Sequence, residues 1–377
     1  MVRRLLHIPS GTVLVAILLL SMSACPQAQA QSRAERIDWD DALDQDAGWY
    51  ASDEAIRIAD NVRLYQHKSG GWPKNIDVTR VLPDEEKARI RRKQAAGGTT
   101  LSNITIDNGA TYPQIRYLAR VYDATGEERF RKGALRGIDY LLEAQYENGG
   151  WPQYYPRPDG YHENITFNDG AMIGAMRVLR DGARGHDSFA FVDSSRRQRA
   201  AAAIETGVAA ILKMQIEVDG TLTAWCAQHD PETLDPVGAR SYEPPSISGG
   251  ESVGVVEYLM EIEDPSPAVI RAVEAAVEWF ERVKLTDIRL LEIKDSSLPE
   301  GEDVVVGFDP ANESPLWARF YEIGTNHPMF LDRDGNVYDA LSQIPYERRV
   351  GYSWLGGWAE ELLEERYPTW REHRDGE

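Results

Sequence analysis

Two short phrases recur along this chain of 377 residues, and they constrain its fold more than any other feature. The first phrase, GGWP, stands at residues 70–73 and returns at 149–152, each time four residues after a glutamine. The second phrase, NITIDNGA at 103–110, returns as NITFNDGA at 164–171, with the acid and the amide exchanged. Such repetition is typical of architectures that use one supersecondary unit several times.

A helical pattern fills the segments between the phrases. Between residues 115 and 122, apolar side chains recur at i, i+3, i+4 and i+7, and similar patterns run up to Gln66, Gln145 and Gln215. Glycine ends a helix at little steric cost, and the proline that follows prevents continuation. Each unit is therefore predicted to be a helix ending at a glutamine, a Gly-Gly-Trp-Pro loop, a lead-in phrase rich in Asp and Asn, and a second helix.

A third, weaker copy of the unit contains Gln215 and Trp225, and its lead-in phrase is reduced to Ser248 and Glu251 with their neighbours. Repeated antiparallel helical pairs either stack into an open solenoid or close into an (α/α) toroid. About three units are visible, and their polar phrases all lie at one end of the helices. We therefore predict an α-dominated (α/α) toroid of repeated helical hairpins with a cleft at that end, and an open solenoid is the alternative.

The pattern changes after Leu290. Residues 304–308 predict a strand, and Asp334 with the following glycine predicts the turn of a hairpin. Asp332 and Asp334 could suggest a calcium loop, but their surroundings do not match the EF-hand spacing. We therefore expect small β elements packed against the helical ring as part of the same domain.

The N-terminus has the features of an export signal. Arg3 and Arg4 precede an apolar run at residues 13–20 that is too short to span a bilayer, and small residues follow. Cleavage after Ala30 is one outcome, and lipidation of Cys25 within a loosely lipobox-like sequence is the other. We expect an exported protein, periplasmic or extracellular, with an outer-membrane lipoprotein as the alternative.

These features divide the chain into a signal peptide at residues 1–30, a linker at 31–48 and one toroid domain at 49–377. Such a domain is long enough to bury a sizeable core. The only cysteine beyond the signal is Cys226, so we expect no disulfide and a fold stabilised by packing alone.

The chain is acidic, with 41 Lys and Arg against 61 Asp and Glu and a net charge of −20. This balance argues against a sequence-independent nucleic-acid binder, whose affinity comes from basic side chains that neutralise phosphates. The sequence also lacks the motif H-E-x-x-H, a Walker A motif and a Cys/His cluster with metal spacing. Nothing in it therefore indicates a zinc enzyme or a nucleotide site.

The acids of the lead-in phrases are the candidate reactive groups. Asp is a favoured helix N-cap, so Asp107 and Asp169 could serve only as caps. Pro113 is comfortable only in a first helical turn, which predicts that the helix begins at residue 111 or 112 with Thr111 as its cap. Asp107 and Asn108 then have no local structural role, whereas both interpretations stay open for Asp169.

Two carboxylates at the mouth of a helical ring have two chemical interpretations. Asp107 and Asp169 could be the acid and the base or nucleophile of a glycoside hydrolase. Together with Asn108 and Glu251 they could instead be hard oxygen ligands of Ca²⁺.

An acidic protein needs a bound cation or a local basic cluster to capture an anionic ligand, and arginines recur in the late part of the chain. These are Arg240, Arg319, Arg348 and Arg349. Arginine matches a carboxylate with two hydrogen bonds and stacks on aromatic rings, although any one of the four could instead form a plain ion pair. A third function class is therefore a non-catalytic protein that binds oligouronates through Trp72, Trp151 and Arg319.

Seven phrases together resemble the pectate lyases of polysaccharide lyase family ten. They are GGWPKN at 70–75, TIDNGAT at 105–111, GGWPQ at 149–153, TFNDGAM at 166–172, RSYE at 240–243, LWARFYE at 316–322 and YERR at 346–349. The likeness extends from about residue 50 to residue 358, nearly the whole mature chain. One departure is His327, which stands where the family would have an arginine, and it bears on subsite preference more than on the reaction.

The resemblance implies an (α/α) toroid and Ca²⁺-assisted β-elimination of polygalacturonate. By this likeness Asp107, Asn108 and Asp169 hold the calcium ion, and Arg240 removes the C5 proton. The predicted catalytic residues are thus Arg240, Asp107 and Asp169. Arg319 and Arg348 are similar to residues that contact substrate carboxylates.

The remaining predicted substrate contacts are Trp72, Lys74, Trp151 and Asn168. The expected ligands are polygalacturonate and its oligomers. We expect a monomer, with no nucleic-acid partner and no protein partner.

Overall fold

The helical pairs predicted from the repeats are present in the computed structural model, which describes residues 37–95, 103–156 and 158–375. The α-helices are α1 (Trp39–Leu43), α2 (Asp53–Tyr65), α3 (Asp84–Ala95), α4 (Tyr112–Thr125), α5 (Glu128–Ala144), α6 (Ala171–Arg184), α7 (Ser194–Met214), α8 (Glu251–Met260), α9 (Pro267–Val283), α10 (Tyr346–Val350) and α11 (Tyr367–Asp375). Nothing in this part of the chain forms a helix both long and apolar enough to cross a bilayer. The predicted signal peptide at 1–30, with Cys25, lies outside the described residues.

Part of the segment predicted as a linker, residues 31–48, belongs to the folded domain. It contains α1, whose Ala42 is fully buried. The hydroxyl of Tyr50 donates to the carbonyl oxygens of Ala42 and Leu43 at 3.2 and 3.1 Å. The predicted boundary at residue 49 is therefore wrong, because this short acidic helix is held by contacts to distant residues that its own sequence does not reveal.

The helices form two layers. Ten of the 14 residues of α6 are buried, against six of the 21 residues of α7. The helices that follow the lead-in phrases, α4, α6 and α8, thus form the inner layer, and neighbouring members of this layer pack on one another. All three lead-in phrases consequently lie at the N-terminal ends of inner helices, as the repeats predicted.

The repeated glutamines join each unit to the next. Each side-chain amide donates to a carbonyl oxygen of its own loop and to one of the following outer helix. The pairs of acceptors are Gly70 and Gly133 for Gln66 at 2.7 and 2.9 Å, Gly149 and Ala203 for Gln145 at 3.0 and 2.8 Å, and Thr223 and Ala272 for Gln215 at 2.9 and 2.9 Å. The repetition of glutamine therefore reflects a repeated connection between outer helices.

The repeated glycine and tryptophan serve the same packing. Gly149 has a φ of 98°, and a Cβ atom there would lie 2.2 Å from the carbonyl oxygen of Thr206. Only glycine allows this approach of the loop to the next outer helix. The third copy is confirmed by Trp225, whose indole N–H donates to Ile211 O at 2.8 Å, the bond made by the earlier tryptophans.

The strands form antiparallel pairs, and three of these pairs contain a strand from a lead-in phrase. The pairs are β1 (Trp72–Pro73) with β2 (Ile104–Thr105), β3 (Ile165–Thr166) with β6 (Gln228–His229), β4 (Glu217–Val218) with β5 (Thr221–Leu222), β7 (Ile247–Ser248) with β11 (Phe320–Tyr321), β8 (Ile288–Lys294) with β9 (Glu302–Phe308), β10 (Trp317–Ala318) with β14 (Leu355–Gly356), and β12 (Phe330–Leu331) with β13 (Val337–Tyr338). The strand predicted at 304–308 lies within β9, and the hairpin predicted around Asp334 is β12–β13.

Asp332 has a structural role in that hairpin. Its Oδ1 accepts hydrogen bonds from the backbone N–H groups of Asp334 and Asn336 at 2.9 and 3.0 Å. Its Oδ2 accepts from the hydroxyl of Tyr338 at 3.0 Å. These bonds agree with the interpretation of the segment as a turn rather than a calcium loop.

Candidate active site

The three lead-in phrases contain the same turn. In each phrase a hydroxyl oxygen accepts a hydrogen bond from the backbone N–H two residues later. The pairs are Thr105 with Asp107 at 3.0 Å, Thr166 with Asn168 at 3.2 Å and Ser248 with Gly250 at 3.3 Å. The residues that follow these pairs, Asn108, Asp169 and Glu251, therefore occupy equivalent places at the ends of α4, α6 and α8.

Neither Asp107 nor Asp169 caps the helix that follows it. Asn108 and Asp169 have left-handed backbones with φ of 48° and 50°, a conformation that Asn and Asp tolerate better than most residues. Neither α4 nor α6 has a side-chain cap hydrogen bond. The capping interpretation is wrong for Asp169, because Gly170 is the N-cap residue of α6. Thr111 occupies the N-cap position of α4 as predicted, but its hydroxyl donates to Thr105 O at 2.7 Å instead of capping the helix. α4 nevertheless begins at residue 112, as Pro113 predicted.

The lead-in phrases bring Asp107 and Asp169 together. Asp107 is fully buried, and its Oδ2 contacts the ammonium group of Lys74. The side-chain amide of Asn168 donates to Asp107 Oδ1 at 3.3 Å and to Asp169 Oδ2 at 2.9 Å. We call these four residues, with Asn108, the carboxylate cluster.

The oxygen atoms of this cluster suit a hard cation. One terminal atom of the Asn108 amide lies 2.8 Å from Asp107 Oδ2 and 2.9 Å from Asp169 Oδ2. A nitrogen there donates to both carboxylates, whereas an oxygen there gives three converging oxygens that need a cation between them. Carboxylate and amide oxygens are ligands of Ca²⁺. Across the described ranges no group of three or more His, Cys, Asp or Glu side chains has metal-binding geometry, so a calcium site here would depend on amide and external ligands as well.

The charges around the cluster leave a deficit of positive charge. Glu251, almost fully buried, accepts a hydrogen bond from Arg319 Nη2 at 2.9 Å. Partial burial raises the pKa of Asp169, and the charges of Asp107 and Glu251 raise it further, against the opposing effects of Arg319 and Lys74. Three carboxylates thus face two cations, and one more cation would relieve the repulsion.

Arg319 lies between the cluster and a group of aromatic residues. Its guanidinium carbon is 5.0 Å from the centre of the Tyr352 ring and 5.9 Å from that of Trp358. Its Nε is buried, and within the described residues this atom has no hydrogen-bond partner. The guanidinium of Arg319 is therefore oriented by Glu251 and the two rings, while its Nε–H makes no hydrogen bond within the described residues.

Arg240 lies on a turn at 239–243. Its Nη1 donates to the hydroxyl of Tyr242 at 3.0 Å and lies 3.6 Å from Glu243 Oε1, while the side chain is 40% exposed. Burial opposes the charge on this guanidinium, but the hydrogen bond to Tyr242 and the charge of Glu243 outweigh that effect and raise its pKa. Arg348, mostly buried, stacks on Tyr242 with its guanidinium carbon 4.7 Å from the ring centre.

Residues 66–363 match the family model described as pectic acid lyase. The chain belongs to the pectic acid lyase family. The structure is similar to that of a family 10 polysaccharide lyase from Cellvibrio cellulosa, with 34% identity, a TM-score of 0.70, and coverage of 86% of this chain and 93% of that chain. It is also similar to a mutant of a family 10 lyase from the same organism in complex with trigalacturonic acid, with 34% identity, a TM-score of 0.71, and coverage of 87% and 97%. No curated protein matches the chain.

This membership identifies an enzyme, a polysaccharide lyase, and the resemblance to family ten is confirmed. The glycoside hydrolase and the non-catalytic binder are therefore set aside. The α-dominated (α/α) toroid is likewise the fold of this lyase, rather than an open solenoid.

A row of rings in the lyase joins the carboxylate cluster to Arg240. The ammonium of Lys74 lies 5.7 Å from the ring centre of Tyr154. His162 lies between Tyr154 and Tyr161, with ring centres 4.5 and 4.2 Å away. Tyr161 in turn lies close enough to the Arg240 side chain to favour its charged form. Sequence reasoning missed these rings because only the second unit carries them, so no repeat singles them out.

Trp72 and Trp151 are not substrate contacts. Both side chains are buried, and their indole N–H groups donate to Val62 O at 2.7 Å and Leu141 O at 2.8 Å within the preceding outer helices. A polymer in the cleft does not reach buried rings, so the prediction that these residues bind substrate is wrong. Their repetition reflects the packing of the loops.

Replacement of Trp151 by phenylalanine is therefore expected to lower the free energy of unfolding by about 1–3 kcal/mol, because it removes a buried hydrogen bond and part of a buried ring. KM for polygalacturonate should stay unchanged. Denaturant unfolding and steady-state kinetics measure the two effects, and Trp225→Phe, in the third unit, is the matched control. A raised KM at unchanged stability would contradict the structural assignment.

Proposed function

We propose that this lyase cleaves α-1,4-linked polygalacturonate by calcium-dependent β-elimination, with Arg240 as the base that removes the C5 proton. The observation that carries the proposal is the carboxylate cluster, in which Asp107 and Asp169 converge with a deficit of positive charge near Arg319. Tyr352 and Glu243 connect Arg319 to Arg240. Similarity to a lyase complexed with trigalacturonic acid supports the substrate class.

Asp107, Asn108 and Asp169 would hold the ion. Bound calcium supplies a positive charge that stabilises the negative charge developing on the substrate carboxylate when the neighbouring C5 proton leaves. Lys74 and Asn168 fix the orientation of the two protein carboxylates. The partly exposed guanidinium of Arg319 supplies a positive charge for a sugar carboxylate, and Arg348 stacks on the nearby Tyr242.

The elimination transfers the C5 proton to a neutral Arg240. The electron pair of the C5–H bond forms the C4=C5 double bond, and the C4–O bond breaks with its pair on the glycosidic oxygen, which takes a proton from solvent. Arg240 must lose its own proton first, and its surroundings raise its pKa, so we expect the reaction to be faster at alkaline pH.

We also propose that the protein acts outside the cytoplasm, because residues 1–30 have the order of an export signal. A monomer that binds oligogalacturonates without a protein partner is the simplest form of this proposal.

The products of elimination carry a conjugated C4=C5 double bond that absorbs ultraviolet light. We expect purified protein with polygalacturonate and Ca²⁺ to generate this absorbance together with reducing ends, and a chelator to stop both. Reducing ends without the chromophore would indicate hydrolysis instead. Retention on a pectate column without either signal would indicate binding alone.

A further inference from the structure

We propose that Glu243 is the positioning residue that holds Arg240 in the cleft, and that Tyr352 ties this carboxylate to Arg319. The inference rests on the proposed function, because it concerns the geometry of the proposed base. Neither Glu243 nor Tyr352 belongs to the repeated lead-in phrases.

Glu243 closes the turn that carries Arg240. Its backbone N–H donates to the carbonyl oxygen of Arg240 at 2.8 Å, and its own carbonyl oxygen accepts from the N–H of Ala239 at 3.0 Å. Its side-chain Oε2 accepts from the backbone N–H of Arg240 at 3.2 Å. One residue therefore constrains the main chain on both sides of the arginine.

The same carboxylate also reaches the guanidinium. Glu243 Oε1 lies 3.6 Å from Arg240 Nη1, and its side chain is 14% exposed against 40% for the arginine. Glu243 is thus the more deeply placed partner. The guanidinium is held from the protein side, and its exposed part is left for the cleft.

Tyr352 connects this turn to Arg319. Its hydroxyl donates to Glu243 Oε1 at 3.0 Å across a sequence separation of 109 residues. Its ring lies 5.0 Å from the guanidinium of Arg319 and 5.5 Å from the ring of Tyr242. A displacement of Glu243 would therefore disturb both arginines, which gives the pair its positioning role.

Two carboxylates are among the charged and titratable groups around this turn in the described residues: Glu243, which lies beside Arg240, and Glu347, which pairs with Arg333 and Arg348. The others are Tyr161 at 160–163, Tyr242 in the turn, Tyr352 and Arg348 from the C-terminal segment, and Arg333 in the turn of β12–β13. A neutral replacement of Glu243 removes a negative charge that favours protonated Arg240. A base must be neutral to accept a proton, so the pH dependence of the reaction reports on this contact.

Two substitutions separate charge from geometry. Glu243→Gln keeps the shape of the side chain, so the rising limb of kcat/KM against pH should move to lower pH by about one unit while the melting temperature stays unchanged. Glu243→Ala removes the carboxylate contacts to Arg240 and Tyr352, so kcat should fall about 10- to 100-fold at every pH with KM little changed. Rescue of kcat by glutamine but not alanine is the signature of a positioning role.

Tyr352→Phe tests the connection. It should lower kcat in the wild-type background and have a much smaller effect in the Glu243→Ala background, because the hydroxyl then has no carboxylate to bind. Glu274→Gln is the matched control, since Glu274 pairs with Arg374 at 3.1 Å between α9 and α11. Its pH profile should match that of the wild type.

The inference is overturned if the wild type is active, the pH profile of Glu243→Gln is unchanged and the kcat of Glu243→Ala is unchanged. The proposed function would still stand in that case. A wild type without the ultraviolet chromophore would instead overturn the proposed function. In that case crystals of Glu243→Ala decide the positioning role, because an Arg240 side chain that keeps its orientation refutes it and a displaced one supports it.

Discussion

Replacement of Arg240 by alanine should reduce kcat by at least about three orders of magnitude while trigalacturonate still binds. General-base catalysis contributes roughly 10²- to 10⁴-fold, and here the substituted residue would supply the only proposed proton acceptor. Binding persists because the cations Lys74 and Arg319, which pair with Asp107 and Glu251, are untouched. The ultraviolet absorbance of the product measures turnover, and isothermal titration calorimetry measures binding.

Two further variants sharpen this experiment. Arg240→Lys keeps a cation but has a lower intrinsic pKa, so weak residual activity should rise at lower pH than in the wild type. Arg289→Ala removes a half-exposed arginine that pairs with Asp309 at 3.3 Å near the start of β8, and it should leave turnover unchanged. A near-wild-type rate in Arg240→Ala would show that the base has been misassigned.

Replacement of Asp107 by alanine should weaken calcium binding by more than about 100-fold and remove activity at moderate calcium concentrations. Changes in residues that merely support a metal ligand cost about 10- to 100-fold, and a direct ligand should cost more. The wild type should gain melting temperature on addition of Ca²⁺, because a ligand that binds only the folded state stabilises it. The variant should lose most of that gain, which makes the result independent of the activity assay.

Asp60→Asn is the control for this substitution, because Asp60 is an exposed acid on α2 that pairs with Arg129 at 3.0 Å. Its calcium response should equal that of the wild type in both melting temperature and activity. Identical calcium dependence in Asp107→Ala and in the wild type would mean that the carboxylate cluster does not hold the ion.

The helical repeat was predictable because its signals are local. Gln66 and Trp72 return at a fixed distance in the next unit, and the structure uses both copies for the same hydrogen bonds. Pro113 likewise placed the start of α4, since a proline ring excludes a helix that began much earlier. The Asp-Gly pair at 334–335 placed the β12–β13 hairpin for a similar reason.

The same local signals did not predict which side chains are exposed and which are buried. Trp72 and Trp151 were predicted at the substrate, yet both rings are buried. The direction of a loop side chain depends on what packs behind it, which in this lyase is the preceding outer helix. α1 was missed for the same reason.

The amino-acid sequence alone thus determined the repeating unit and the two acids at the ends of the inner helices, because periodicity and turn chemistry act over a few residues. Its seven phrases also sufficed for the resemblance to the family. Only the tertiary structure decided that Asp107 is buried against Lys74, that Glu251 pairs with Arg319, and that Tyr352 reaches Glu243 across 109 positions. Such contacts join segments from different units. They follow from the way the layers pack, and a single sequence carries no local trace of them.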